Sequence, residues 1–414
     1  MTQKNALDKD EEVVFFNEDE NEENDDSSAK RLSELEEIAE IVVSGTDWTT
    51  ETILSQLVRG NIKLNPKFQR RDAWNVKRKS RFIESLMLGF PIPQIVLAAD
   101  REERGKFIVL DGKQRLLTIL QFYGQSATPN NAFSLRNLEF KPELNNKKFS
   151  ELTKIASLAP ELNNLDNQPI RTMLIRNWHS ESFLYKIFLR LNVESTPLSP
   201  QELRQALHPG AFIDFLDDQS VKSESLRKIL KSKDPDFRMR DVELLLRYVA
   251  LHYFINEYRG DLKAFLDMTC ERLNIDWEKE NNHIQEILNQ FEEAVKITIE
   301  IFGERNLSRM WLSERNAYRT QFNRAILDIM VFYFSNIIIR ECAKDKKVEI
   351  EKSFKELCAN SEFKASVEGT TKSVSETHTR LFLWGKNLKK ILGIEFEIPQ
   401  IRDNYIVFNG FELT

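Results

Sequence analysis

The sequence predicts an α+β chain, with a mixed N-terminal domain followed by a mostly helical C-terminal one, and three observations lead there. Glycine supplies only 13 of 414 residues, below its usual share of about 7%, which disfavours turn-rich all-β architectures. From about residue 48 to residue 175, short apolar runs at 62–64, 92–98, 107–110 and 172–175 alternate with helical patterns at 78–88 and 116–122. Beyond that, amphipathic segments at 241–258, 261–273, 281–302, 320–341 and 374–390 carry the helical period and few glycines.

In chain order, residues 1–30 come first. Residues 8–26 hold eleven acids and one lysine, a charge of −10, and such a run repels itself and buries little. It reads as a disordered acidic tail, either solubilising or covering a basic segment of the same chain. The remaining 57 basic and 54 acidic residues leave the rest near +3. Within it, residues 59–115 hold fourteen Lys/Arg against six Asp/Glu, so one segment is strongly basic. Residues 45–210 form the mixed domain and 211–414 the helical domain.

Residues 77–89 read as a helix with Phe82, Ile83, Leu86 and Met87 inward, closed by Gly89 and by Pro91 and Pro93. After about 180 a stripe of Phe183, Leu184, Ile187, Phe188 and Leu191 is helical. Ser199-Pro200-Gln201-Glu202 is then a capping box with proline at the first helical position. The apolar stretch 329–339 is interrupted by Ser335 and Asn336 and falls short of the roughly 20 residues that span a bilayer, so it reads as a buried helix.

Several chemistries find no support. Cys270, Cys342 and Cys358 are far apart and form no CxxC pair, which speaks against a disulfide framework or zinc finger and fits a reducing cytoplasm. No apolar h-region of a signal peptide opens the chain. His179, His208, His252, His283 and His378 lack metal-ligand spacing and read as surface or cap residues. The phosphate-loop, dinucleotide, nucleophile-elbow and HExxH patterns are all missing.

The densest chemical signal is residues 106–120. An apolar strand ends at Asp111-Gly112 and a helix follows with Leu116, Leu117 and Leu120 on its apolar face. Such a turn presents backbone N–H groups at a helix N-terminus, where the dipole favours anions, and Gly112 lets a ligand approach the backbone. Lys113 and Arg115 add cationic donors, and Asp111 is placed to hold a metal, orient water or accept from a ribose or base. The plainer reading is a strand-to-helix turn with Asp111 as N-cap. A second patch, 66–74, sets Gln69, Arg70 and Arg71 between aromatics, as an anion- and base-contact loop would. A third, 188–206, brings Arg190, Asn192, Glu202 and Arg204 to one corner, with Glu202 as the N3 partner of Ser199.

These motifs, in this order, resemble the family called domain of unknown function 262, the N-terminal half of GmrSD-type modification-dependent restriction enzymes. The resemblance covers roughly residues 48–210. It implies a ParB/sulfiredoxin-like fold whose aspartate-glycine turn lies at a nucleotide site, with NTP binding and hydrolysis regulating DNA cleavage. It casts Asp111, Gln114 and Arg115 as catalytic, Gln69, Arg70, Gly112, Lys113, Arg190 and Asn192 as nucleotide-binding, and Asp111 as the Mg²⁺ ligand. The chain departs from the family at Lys113, usually glutamine, and at Glu194-Ser195, usually a glycine pair.

The expected protein is therefore a cytoplasmic, nucleotide-binding, NTP-hydrolysing regulator of a bacterial restriction or anti-phage system. Its implied cofactors are NTP and Mg²⁺. Its implied partners are nucleotide, DNA, a partner nuclease or methyltransferase, and a second copy of the chain, with no membrane. Two alternatives stand beside it. One is a non-enzymatic nucleotide- or DNA-sensing module that relays to a partner nuclease. The other is a Mg²⁺-dependent nuclease in which Asp100 and Asp111 hold the metal and Lys113 polarises water. The separation of charge leads to one expectation. Removing residues 1–30 tightens DNA or nucleotide binding at low salt, and the gain shrinks as the Debye length falls to about 8–10 Å. Titrations of the two forms that superimpose at low salt would leave the tail a solvating segment.

Overall fold

The computed structural model describes residues 41–64, 74–125, 132–178, 199–232, 234–368 and 373–408, together with Leu184 and Ile187. The acidic tail and Gln69, Arg70, Arg190 and Asn192 lie outside the described residues. The chain divides into two units after Leu207, with Phe237–Met239 counted in the first.

The first unit is built on a five-stranded sheet. Its described elements are β1 (Val42–Thr49), α1 (Thr50–Val58), β2 (Ile62–Lys63), α2 (Val76–Met87), β3 (Ile95–Ala99), β4 (Phe107–Asp111), α3 (Lys113–Phe122), α4 (Phe149–Leu152), α5 (Ala159–Asn167), β5 (Pro169–Arg176) and α6 (Pro200–Leu207). The strand order is β1-β5-β3-β4-β2. β1 with β5 and β3 with β4 are antiparallel, whereas β3 with β5 and β2 with β4 are parallel.

Alternation along the strands splits the core in two. Ile95, Leu97, Val109 and Leu174 pack with Ile53, Ile83, Leu116 and Ile119 of the helices, while Val96, Ala98, Ile108, Leu110 and Ile175 pack with Leu184 and with Leu203 of α6. A sheet covered on both faces needs apolar residues at every position of its central strands. This is why 95–98 and 107–110 read as unbroken apolar runs. β1, with sequence VVSGTDWT, lies at the sheet edge and carries no such run.

α2 starts at Asn75, whose side chain accepts from the Arg78 N–H. It ends before Gly89, at φ +70°, and buries Phe82, Ile83, Leu86 and Met87 as the sequence predicts. It also buries Glu84. That carboxylate accepts the backbone N–H groups of Glu139, Phe140 and Lys141 at 3.1, 2.7 and 2.8 Å and so ties the 136–141 loop to the helix.

The second unit is helical, as its periodicity predicts: α7 (Ala211–Lys222), α8 (Glu224–Leu230), α9 (Arg240–Phe254), α10 (Leu262–Ile275), α11 (Trp277–Phe302), α12 (Arg324–Phe334), α13 (Ile337–Lys344), α14 (Lys347–Leu357), α15 (Ser361–Glu368) and α16 (Val374–Leu392). The expected single helix over 320–341 is instead α12 and α13. Asn336 accepts from the Ile338 and Ile339 N–H groups and caps a new helix, which exposes Ile337 and Ile338. Asparagine bonds its local backbone more readily than it continues a helix. No helix among the described residues is long and apolar enough to cross a membrane. A bidentate pair, Arg247 with Asp328 at 2.5 and 3.3 Å, joins α9 to α12 within the core.

The histidines correct a second expectation, because His208 and His252 are not surface or cap residues. His208 is 6% exposed, and its Nδ1 lies 3.4 Å from Glu271. His252 contacts the Tyr248 carbonyl and the Ser335 hydroxyl, and burial lowers its pKa from 6.5 to about 4. The unfolded ring therefore takes up a proton first on acidification. The neutral ring contributes stability above pH 6.5, and that contribution is lost as pH falls from 6.5 to about 4. Denaturant titrations across this window should show His252→Gln with a flatter acid limb than wild type, by up to ~3 kcal/mol. Parallel limbs would remove His252 as the source.

Candidate functional site

The site grows from the end of β4. Asp111 is its last residue and pairs across the sheet with Val96, beside an irregularity between Val96 and Leu97. Gly112 then turns the chain at φ +98°, ψ 9°, a left-handed conformation, and stands as the N-cap of α3. The plainer reading of Asp111 as the N-cap is thereby corrected: its Oδ1 accepts the Gly112 N–H at 2.7 Å instead. A Cβ at Gly112 would lie 3.0 Å from Ile95 Cγ1 and 3.3 Å from both Nε and Nη2 of Arg115. Left-handed φ and crowding thus both require glycine here.

α3 is not amphipathic as expected. Every residue from Arg115 to Phe122 is buried, as is Lys113. Charges carried into such a helix must be paired, because an isolated buried charge is very costly. Arg115, 7% exposed, folds back over the glycine. Its Nη2 donates to the Gln94 carbonyl at 2.9 Å and to Asp111 Oδ2 at 2.7 Å. Its Nε is buried and has no partner among the described residues. The Gln114 carbonyl accepts from the Thr118 hydroxyl at 2.7 Å.

Lys113 goes the other way. Its ammonium forms a buried ion pair with Glu202 Oε1 at the start of α6, 89 residues along the chain. The second oxygen of Glu202 accepts the Ser199 N–H at 2.7 Å, while Ser199 Oγ accepts the Glu202 N–H at 3.1 Å. The capping box is therefore present as read, and one carboxylate serves both the cap and Lys113. Ser199 Oγ also donates to the Arg238 carbonyl at 2.6 Å. Further along α6, both amide atoms of Gln205 and the Nε2 of Gln201 are buried without partners among the described residues.

The structure thus brings together Asp111, Gly112, Lys113 and Arg115 with three groups that sequence reasoning did not assign to the turn: the Gln94 carbonyl, Ile95 and Glu202 as an ion-pair partner. A carbonyl has no sequence signature, and nothing local links Glu202 to a lysine so far away.

The two-acid nuclease arrangement is corrected. β3 and β4 are antiparallel, pairing Val96 with Asp111 and Ala99 with Phe107. Asp100 therefore sits at the opposite end of the hairpin, about 13 Å away at ~3.3 Å per residue, too far to share a metal ion. Asp100 binds Lys63 at 2.7 Å, and Lys113 is committed to Glu202. Mg²⁺ fits Asp111 poorly in this arrangement, since one oxygen accepts from Gly112 and the other from Arg115. Among the described residues no cluster of three His, Cys, Asp or Glu side chains is placed to hold a metal.

Residues 51–209 match the family model described as the GmrSD restriction endonuclease N-terminal domain. No curated protein and no solved structure matches the chain.

The Lys113–Glu202 pair makes a direct test. Lys113→Met removes the counter-ion of a buried carboxylate and Glu202→Gln removes the counter-ion of a buried ammonium, although glutamine can still close the capping box. Each single change should lower stability by about 3–5 kcal/mol, and the double variant should recover most of it. Strictly additive losses in denaturant titrations would show that the two side chains are not coupled.

Proposed function

We propose that the protein is a nucleotide-binding, NTP-hydrolysing regulatory component of a bacterial restriction or anti-phage system, with the phosphates received at the Asp111–Arg115 turn. The match of residues 51–209 to the GmrSD N-terminal domain supports a restriction or anti-phage setting, and the chemistry of the turn supports an anion site. The observation that carries the reading is Arg115: a nearly buried guanidinium with an unpartnered Nε beside a left-handed glycine at a helix N-terminus. A phosphate oxygen arriving there gains a charge-assisted bond and satisfies a polar group that is otherwise left unmade. Because nothing projects from the Gly112 Cα, the Arg115 guanidinium can lie against the turn.

Asp111 holds Arg115 in place through Oδ2. When phosphate competes for the guanidinium, that oxygen is released and becomes available to orient a water. Mg²⁺ would enter as the counter-ion of the nucleotide rather than as a resident ion. Gln69, Arg70, Arg190 and Asn192 would complete the pocket, in a ParB-like arrangement implied by the family resemblance.

A second reading, a binding module that relays without hydrolysis, is favoured by the full engagement of Asp111 by protein donors. Both are tested with isosteric variants, because alanine at Asp111 would leave Arg115 without its counter-ion. Arg115→Gln should weaken ATP or GTP binding by about 1.5–3 kcal/mol, with an unchanged circular dichroism spectrum. Asp111→Asn should retain binding and lose phosphate release. Equal affinities for wild type and Arg115→Gln would overturn the site. Tight binding by wild type without phosphate release would favour the relay.

A further inference from the structure

The basic segment noted in the sequence finds only part of its use at the turn, and much of the rest lies on α2. Lys77, Arg78 and Arg81 are exposed and lie at i, i+1 and i+4 on one side of that helix. None of the three takes part in an ion pair among the described residues. Arg78 lies over the Trp74 ring, 4.6 Å from its centroid. The one acid of α2, Glu84, is turned inward and saturated by three backbone N–H groups.

The 136–141 loop brings a fourth cation to the same face. Its Arg136 N–H donates to Ser80 Oγ at 2.9 Å, and residues 139–141 are held by Glu84 one turn further on. The loop therefore runs beside the 80/84 row of α2, and the exposed Arg136 is held through its backbone by Ser80, the residue that precedes Arg81. Beyond it, Phe90 and Phe140, 42% and 58% exposed, meet edge to face at 5.7 Å. Glu139 is the exposed carboxylate on this stretch of loop.

Among the described residues, four cations in no ion pair against one exposed carboxylate on this face, flanked by aromatic rings, suit a polyanion whose charges repeat along a line. We propose that this face, made by Lys77, Arg78, Arg81 and Arg136, binds the phosphate backbone of duplex DNA without regard to sequence. Arginines there can grip phosphate oxygens through paired N–H groups. Their long exposed stems adapt to different duplexes, and contacts to phosphates position a duplex without reading its sequence. The face is separate from the Asp111–Arg115 turn and does not depend on what binds there.

The test uses the full chain and two unrelated duplex DNAs, with affinity measured by anisotropy at several salt concentrations. Lys77→Gln/Arg81→Gln/Arg136→Gln is compared with Lys352→Gln/Lys364→Gln/Lys390→Gln, which removes the same charge from exposed positions of the helical unit. Wild type should bind both duplexes alike. The α2 variant should lose at least tenfold at low salt, and its slope of log affinity against log salt should fall by roughly two to three, at about 0.9 per phosphate contact. The control should retain the wild-type slope. ATP binding measured in parallel should be unchanged in the α2 variant and weakened in Arg115→Gln, which keeps a failure of this surface distinct from a failure of the nucleotide site. Absence of DNA binding by wild type, or equal losses in the two triple variants, would overturn the proposal. Tighter binding of duplex RNA with the same loss in the α2 variant would reassign the face to RNA.

Discussion

The buried ion pair between Lys113 and Glu202 is the constraint on which the first unit depends. It joins the helix that leaves the Asp111–Gly112 turn to the helix that covers the opposite face of the sheet. Two charges removed from water hold together only if each keeps a partner and the remaining lone pairs are filled. Glu202 meets both requirements by accepting from Lys113 with one oxygen and from its own N-cap with the other. The capping box sets where α6 starts along the chain, and the lysine ties that start to α3.

The same demand shapes the turn. Because α3 is buried along nearly its whole length, its two cations cannot extend into solvent, and they leave the helix in different directions to find carboxylates. Lys113 reaches α6. Arg115 bends back to Asp111 and the Gln94 carbonyl, which is feasible only because residue 112 has no side chain. The left-handed glycine, the buried arginine and the aspartate are therefore one arrangement, in which Arg115 Nε is left without a partner among the described residues.

The exposed cations of α2 behave differently. They lie on a solvated face where pairing is not enforced, and their unneutralised charge is a choice of composition rather than of packing. Burial of Glu84 strengthens this contrast. One acid both anchors the 136–141 loop and is withdrawn from the surface, leaving the helix face basic. Lys113 and Arg115 are thus matched with carboxylates inside the unit, Glu84 is held by backbone N–H groups, and Lys77, Arg78 and Arg81 on α2 take part in no ion pair among the described residues.

Much of the architecture was legible from sequence alone because it rests on short-range periodicity. The apolar runs of β3 and β4, the inward face of α2, the capping box at Ser199 and the helical second unit each leave a local pattern in which neighbours a few residues apart share one environment. The turn was legible as a strand, a glycine and a helix with nearby cations. Tertiary structure decided the rest. β1 lies at an edge and needs no apolar run, Asn336 ends a helix that hydropathy would continue, and His208 and His252 are buried by segments distant in sequence. The partners of Lys113 and Arg115, and the separation of Asp100 from Asp111, follow from strand direction and from which helix covers which face. Pairing of charges depends on distance in space, and 89 residues of chain between Lys113 and Glu202 leave no local trace of that distance.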